Sequence, residues 1–257
     1  MIILESLTEP AATQAHWVLE TLAMLVAGLL YWRARNAATQ PPQRLARWTL
    51  LAGAAVGAAL GSRALFMLQY APVLLGQPLP AWLSGKTIVG GLLGGIAGVE
   101  VAKQQLRWRA STGDGFVWPL IVAIEIGRLG CQLSGLRDLT YGNPTTLPWA
   151  WNYGDGVPRH PVSLYEMLGV GLLALLIRLP SRGAAPGDRF RAFASGYLLL
   201  RVLLDFLKPP YAPAADGLLV PQRLLDLTPI QWACCAGLLY YAPFLMRRLR
   251  RGERTFG

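Results

Sequence analysis

Long apolar stretches without a charge constrain this chain more than any other feature. Leu50 to Gly61 runs for twelve residues with no ionisable side chain and no strand-like alternation. Seven segments, roughly 16–32, 48–70, 87–105, 116–133, 162–179, 190–207 and 228–246, are long enough or nearly so to cross a hydrocarbon core that needs about 20 apolar residues. Lipid offers backbone amides no hydrogen-bonding partner, so each segment is expected to be a helix. The 257 residues are 53% apolar and 15% charged, with a mean hydropathy of +0.37. Soluble domains carry about a quarter charged residues, and a water-soluble globule is excluded. Residues 1–15 hold Glu5 and Glu9, with no basic stretch before the first apolar run and no small-x-small site after it. The first segment therefore reads as a permanent span rather than a cleavable signal.

A net charge of +10 raises the question of nucleic acid, and the placement of the charges answers it. Of 24 lysines and arginines, sixteen fall after spans one, three and five or in the C-terminal tail, from Arg33 and Arg35 through Lys103, Arg107, Arg178 and Arg182 to Arg254. Five (Lys86, Arg137, Arg159, Lys208, Arg223) fall on the opposite side, and Arg63, Arg128 and Arg201 lie within spans. This asymmetry predicts an all-α polytopic membrane protein of seven transmembrane helices, with the N-terminus outside and the C-terminus cytoplasmic. The excess charge is then a topology signal with anionic-lipid contact, and no nucleic acid is expected as a partner. The whole of 1–257 reads as one integral-membrane domain. A Pro-rich outer arm spans 71–86, and an outer loop domain rich in turn formers and aromatics spans 134–161.

Ionisable residues inside spans cost about 2.5–3.5 kcal/mol each at a helix centre, so each one calls for a reason. They are Glu20, Arg63, Glu100, Glu125, Arg128, Glu166, Arg201 and Asp205. With the topology above, all but Glu100 share the outer layer, together with His160. Three arginines at one depth suggest an anion site, because a guanidinium matches phosphate or carboxylate through two donors. A structural reading stays open beside it. Arg201 and Asp205, four apart, and Glu125 and Arg128, three apart, are spaced to neutralise one another along their own helices. Gly57, Gly61, Gly90, Gly91, Gly94, Gly95, Gly127 and Gly130 serve helix packing or leave room for a lipid headgroup. Cys131, Cys234 and Cys235 form no CxxC pair and read as small apolar residues. With two histidines and no ligand cluster visible along the chain, no metal or organic cofactor is expected.

Several stretches together resemble the prolipoprotein diacylglyceryl transferase family. Gly127-Arg128-Leu129-Gly130-Cys131 resembles its Gly-Arg-x-Gly-Asn/Cys core. Tyr141-Gly142-Asn143-Pro144-Thr145 with Leu147-Pro148-Trp149 resembles its loop. Arg159-His160-Pro161-Val162-Ser163-Leu164-Tyr165-Glu166 is similar to its Arg-His-Pro-x-Gln-Leu-Tyr-Glu element. Gly61-Ser62-Arg63 and Gly90-Gly91-Leu92-Leu93-Gly94 match its early glycine motifs, and Tyr197, Arg201 and Asp205 its Tyr-x-x-x-Arg-x-x-x-Glu face. The likeness covers most of 50–240. Two departures stand out: Val89 occupies the place of a histidine often regarded as the proton acceptor, and Cys131-Gln132-Leu133-Ser134-Gly135 replaces an Asn-x-x-Asn-Gly-Glu run.

The resemblance implies transfer of the sn-1,2-diacylglyceryl group from phosphatidylglycerol to the lipobox cysteine of a prolipoprotein signal peptide, releasing glycerol 1-phosphate. The setting is a bacterial inner membrane, with the site facing the periplasm. Arg128 and Arg201 would hold the phosphate, assisted by Arg63, and Asp205 and Glu166 would orient the arginines. Tyr165, Tyr197 and Asn143 would bond the glycerol, Gly90, Gly91 and Gly130 would line the lipid site, and His160 would take the thiol proton. The nucleophile belongs to the substrate, so no Cys-His or Ser-His-Asp set is needed. Other readings stay open: a paralogue with the same donor and another acceptor, an anion transporter, or a non-enzymatic lipid-binding subunit.

Overall fold

The structure, a computed structural model, describes residues 9–35, 42–179, 185–209, 212–214, 217–219 and 223–253. Glu5, Arg182 and Arg254 lie outside them. Seven long helices fall on the seven expected segments: α1 (Glu9–Ala34), α2 (Arg44–Leu74), α4 (Ile88–Gln105), α5 (Val117–Ser134), α6 (Val162–Arg178), α7 (Asp188–Asp205) and α8 (Pro229–Glu253). The arm at 71–86 contains one more, the six-residue α3 (Leu79–Ser84). By length and apolar composition alone, three stretches suffice to cross a membrane: Ala11–Ala34, Arg44–Pro72 and Gly113–Ser134. Leu60, Leu168 and Leu239 stand exposed on their helices, as lipid-facing residues do. The chain divides into two compact units, 1–41 with 111–209, and 42–110 with 210–257.

In the second unit α2 lies against α4 on glycines spaced by four. A Cβ on Gly57 would collide with the carbonyl of Gly94, and one on Gly98 with that of Gly53. Only backbones without side chains approach so closely. The pair is pinned at one end, where Ser62 Oγ donates to Thr87 O at 2.8 Å and accepts from Thr87 N at 2.9 Å. Thr87 also caps α4 by accepting from Gly90 N at 3.1 Å. Pro72 cannot continue the helical ladder, and α2 bends at Tyr70 (φ −117°, ψ 19°). Helix α8 starts with a reciprocal cap: Thr228 N donates to Gln231 Oε1 at 2.9 Å and Gln231 N to Thr228 Oγ1 at 3.2 Å. It is preceded by a small hairpin of β3 (Ala212–Ala214) and β4 (Gly217–Leu219).

The first unit holds α1, α5, α6 and α7. Helices α6 and α7 interlock through Leu200 over Gly169 and Leu173 over Gly196, where an added Cβ would meet the leucine methyls. Asp114 accepts from Gly187 N at 2.7 Å and Phe190 N at 3.0 Å, so a carboxylate satisfies the open amides at the start of α7. Between α5 and α6 the loop folds on a two-residue ribbon of β1 (Trp151–Asn152) and β2 (Pro158–Arg159). Asn152 Oδ1 and the Arg159–Asp155 ion pair hold its turn. Tyr153 is buried behind it and donates to Gln132 Oε1 at 3.2 Å.

Candidate functional site

The first unit gathers five of the expected site residues into one buried cluster. Tyr197, Arg201 and Asp205 recur every fourth residue, so α7 presents them on one face. Across from them α6 brings Glu166, only 1% exposed. Glu166 Oε1 accepts from Tyr197 Oη at 2.7 Å. Glu166 Oε2 accepts from Arg201 Nη1 at 2.6 Å and lies 2.8 Å from Arg128 Nη2, which α5 supplies. Asp205 Oδ1 stands 3.7 Å from Arg201 Nη2. Two carboxylates, Glu166 and Asp205, face the two guanidinium groups, and Arg128 Nε and Arg201 Nε are buried donors with no hydrogen-bond partner. The arrangement has donors in reserve for a bound anion.

The pairing differs from the expected local one. Arg128 turns to Glu166 rather than to Glu125, whose Oε1 is buried without a hydrogen bond. Arg201 likewise meets Glu166 more closely than its own helical neighbour Asp205. Cross-helix geometry beats the i, i+3 and i, i+4 spacing because Glu166 sits between both arginines and bonds each at full strength.

The loop residues form a second group in the same unit. Tyr165 Oη accepts from Trp149 Nε1 at 2.8 Å and lies 3.2 Å from His160 Nδ1. Asn143 is held by its backbone, its N donating to Leu207 O at 2.7 Å and its O accepting from His160 N at 3.0 Å. A Cβ on Gly142 would come within 2.6 Å of His160 Cβ and 2.8 Å of Val162 Cγ2, so no larger residue fits that strand crossing. Burial pushes the Tyr153 phenol up to about 12. Lys208, just beyond α7, is brought down to about 8 by burial first and by the positive charge of Arg201 second.

Arg63, Gly90 and Gly91 are carried by the other unit. Arg63 is exposed and donates to the carbonyl of Leu83 at the end of α3. Gly90 serves packing, since a Cβ there would strike the carbonyl of Gly61, whereas Gly91 has ordinary room. Val89, in place of the family histidine, is buried in the first turn of α4.

The family model described as prolipoprotein diacylglyceryl transferase matches residues 9–246. The chain belongs to that family. A relative from Polynucleobacter necessarius, named phosphatidylglycerol–prolipoprotein diacylglyceryl transferase, is 32% identical over 247 residues, covering 90% of each chain. One of the same name from Geobacter sulfurreducens is 35% identical, over 68% of this chain and 73% of its own. One from Bordetella parapertussis is 36% identical over 60% of this chain, a match that spans 62% of that relative's length. Membership of this diacylglyceryl transferase family agrees with the helical, lipid-facing exterior.

Beside the arginine cluster lies a group that no motif announces. Arg128 Nη1 donates to Cys131 Sγ at 3.6 Å. Cys131, His16 and Asp138 bring one donor atom each to within 4.8 Å of one another. Three side chains that could act as ligands therefore meet where no such grouping is visible along the chain. The three come from positions 16, 131 and 138, and their only hint is the cysteine that closes the Gly-Arg-x-Gly motif.

Proposed function

We propose that this protein transfers the diacylglyceryl group of phosphatidylglycerol to the cysteine thiol of bacterial prolipoproteins, with release of glycerol 1-phosphate. The observation that carries the reading is the buried pair of Arg128 and Arg201 around Glu166, with both Nε atoms still unbonded. The departing phosphate gains negative charge as its bond to the glycerol carbon breaks. Fixed cations in a dry site stabilise that charge more than water does. Glu166 and Asp205 hold the guanidinium groups in place, so little reorganisation accompanies the reaction. Tyr197, Tyr165 and Asn143 offer hydrogen bonds to the glycerol, and Gly130 packs toward α1. With Nδ1 on the Tyr165 hydroxyl, His160 orders the loop in this reading and acts as a positioning residue. Arg63, Gly90 and Gly91 belong to the lipid-handling surface of the other unit.

The protein is one integral-membrane domain that crosses the bacterial inner membrane seven times, with the N-terminus outside. The lysine and arginine asymmetry and the seven long helices support this topology. In it the arginine cluster faces the outer leaflet, where phosphatidylglycerol and an exported signal peptide meet.

A second reading keeps the donor and changes the acceptor, and the departures at Val89 and Cys131 favour it. Mass spectrometry of a lipobox peptide incubated with the purified protein and phosphatidylglycerol separates the two. A mass gain of one diacylglyceryl group on the cysteine peptide, and none on its serine counterpart, is the expected result. Tight phosphatidylglycerol binding with both peptides unmodified would shift the account to the second reading.

A further inference from the structure

Three side chains that the reading above leaves unused meet at one end of the α1–α5 pair. His16 projects from α1, Cys131 from the last turn of α5, and Asp138 from the 3-10 turn that follows. Their nearest donor atoms, one nitrogen, one sulfur and one oxygen, all lie within 4.8 Å of one another. His16 Nδ1 stands 3.9 Å from Asp138 Oδ1, too far for a hydrogen bond. His16 Nδ1 and Asp138 Oδ2 are both buried without a hydrogen-bond partner, a state that costs free energy unless something satisfies them. Ligands of one tetrahedral Zn2+, bound at about 2.0–2.3 Å, stand about 3.3–3.8 Å apart. The three donors are thus within about an ångström of a metal-binding arrangement.

The surroundings suit such an ion. The far nitrogen, His16 Nε2, stands 3.9 Å from Glu20 Oε2. Gly130 faces α1, where a Cβ would lie in ordinary contact 3.5 Å from His16 Nδ1. Arg128 donates to Cys131 Sγ. His16 and Asp138 side chains keep 22% and 21% exposure, enough for an ion to enter.

We propose that His16, Cys131 and Asp138 bind Zn2+ with a fourth position open, and that the acceptor cysteine occupies that position as a thiolate. The second half rests on the transferase reading. A mixed nitrogen, sulfur and oxygen set suits zinc, and three protein ligands mark an open site rather than a closed structural one. A thiol that coordinates zinc gives up its proton outright, here to water. The sulfur then forms its bond to the glycerol carbon as that carbon's bond to the phosphate oxygen breaks. The electron pair leaves on glycerol phosphate beside Arg128 and Arg201, and nothing is oxidised or reduced. Arg128 links the two halves, since Nη2 faces Glu166 and Nη1 faces Cys131.

The test uses the full chain, purified in micelles, stripped by a chelator and titrated with Co2+ and then Zn2+. The site predicts about one ion per chain and a thiolate-to-cobalt charge-transfer band that Cys131→Ser abolishes. His16→Ala and Asp138→Ala are each expected to cut retained zinc at least ten-fold. A cysteine peptide, but not its serine counterpart, should alter the cobalt spectrum. Folded unaltered protein that takes up no stoichiometric cobalt, or a band that survives Cys131→Ser, overturns the site. Glycerol phosphate release that is indifferent to chelation overturns the thiol-activating role. Stoichiometric zinc with no release under any condition would leave the metal site standing and remove the transferase reading.

Discussion

Arg201 Nη1 donates to Glu166 Oε2 at 2.6 Å across the α6–α7 interface, with both side chains almost wholly withdrawn from solvent. Breaking a buried pair from one side leaves an uncompensated charge and costs about 3–5 kcal/mol. Glu166→Ala strands two guanidinium groups and is expected to lose about that much in thermal unfolding. Asp205→Ala, whose carboxylate stands 3.7 Å from Arg201, should lose less. Equal losses would show that Glu166 is not the shared counter-ion.

Gly142 supports the loop by having no side chain. A methyl there would press into His160 and Val162, and overpacking of this kind costs about 1–3 kcal/mol. Gly142→Ala should open the 134–161 loop to limited proteolysis while leaving the helices intact. Gly156→Ala is the contrast: its Cβ would meet nothing, and only its φ of +77° opposes the change.

The glycine face between α2 and α4 predicts a steeper loss. Gly57→Leu would drive a side chain into the Gly94 carbonyl and should prevent the two helices from docking. A cysteine pair engineered across the face reads this out, crosslinking in the unaltered background and failing in the variant.

Lys208 gives a pH signature. Its folded value, near 8, lies below the ordinary 10.5, so between those values the unfolded chain binds more protons than the folded one. Stability from this residue therefore rises with pH from about 8 to 10.5, and its penalty is full below 8. Tyr153 works the other way, with its stabilisation lost from about 10 to 12. Lys208→Met should flatten that rise, and an unchanged slope would remove the assignment.

The seven helices were legible in the sequence because each falls on a largely apolar segment, and α1, α2, α4, α5, α6, α7 and α8 lie on those segments. Tyr197, Arg201 and Asp205 were legible as one face because helical spacing fixes it. The partner of Arg128 was not, since spacing along α5 points to Glu125 while Glu166 arrives from another helix. His16, Cys131 and Asp138 were hidden for the same reason. Only Cys131 stands in a motif, and the packing of α1 on α5 is what brings the three together. Gly90 shows the reverse, a residue in a family motif whose immediate surroundings are explained by helix packing.

The central claim is that Arg128 and Arg201 hold the departing phosphate. Glycerol phosphate release from phosphatidylglycerol micelles with a lipobox cysteine peptide measures it directly, in the unaltered protein and in folded Arg128→Ala and Arg128→Lys variants. Loss of one fixed donor to a developing anion lowers turnover about 10²–10³-fold. The alanine variant should fall by that much, and the lysine variant should recover only part, because an ammonium lacks the planar pair of donors. A folded Arg128→Ala variant that releases glycerol phosphate at the unaltered rate would contradict the account.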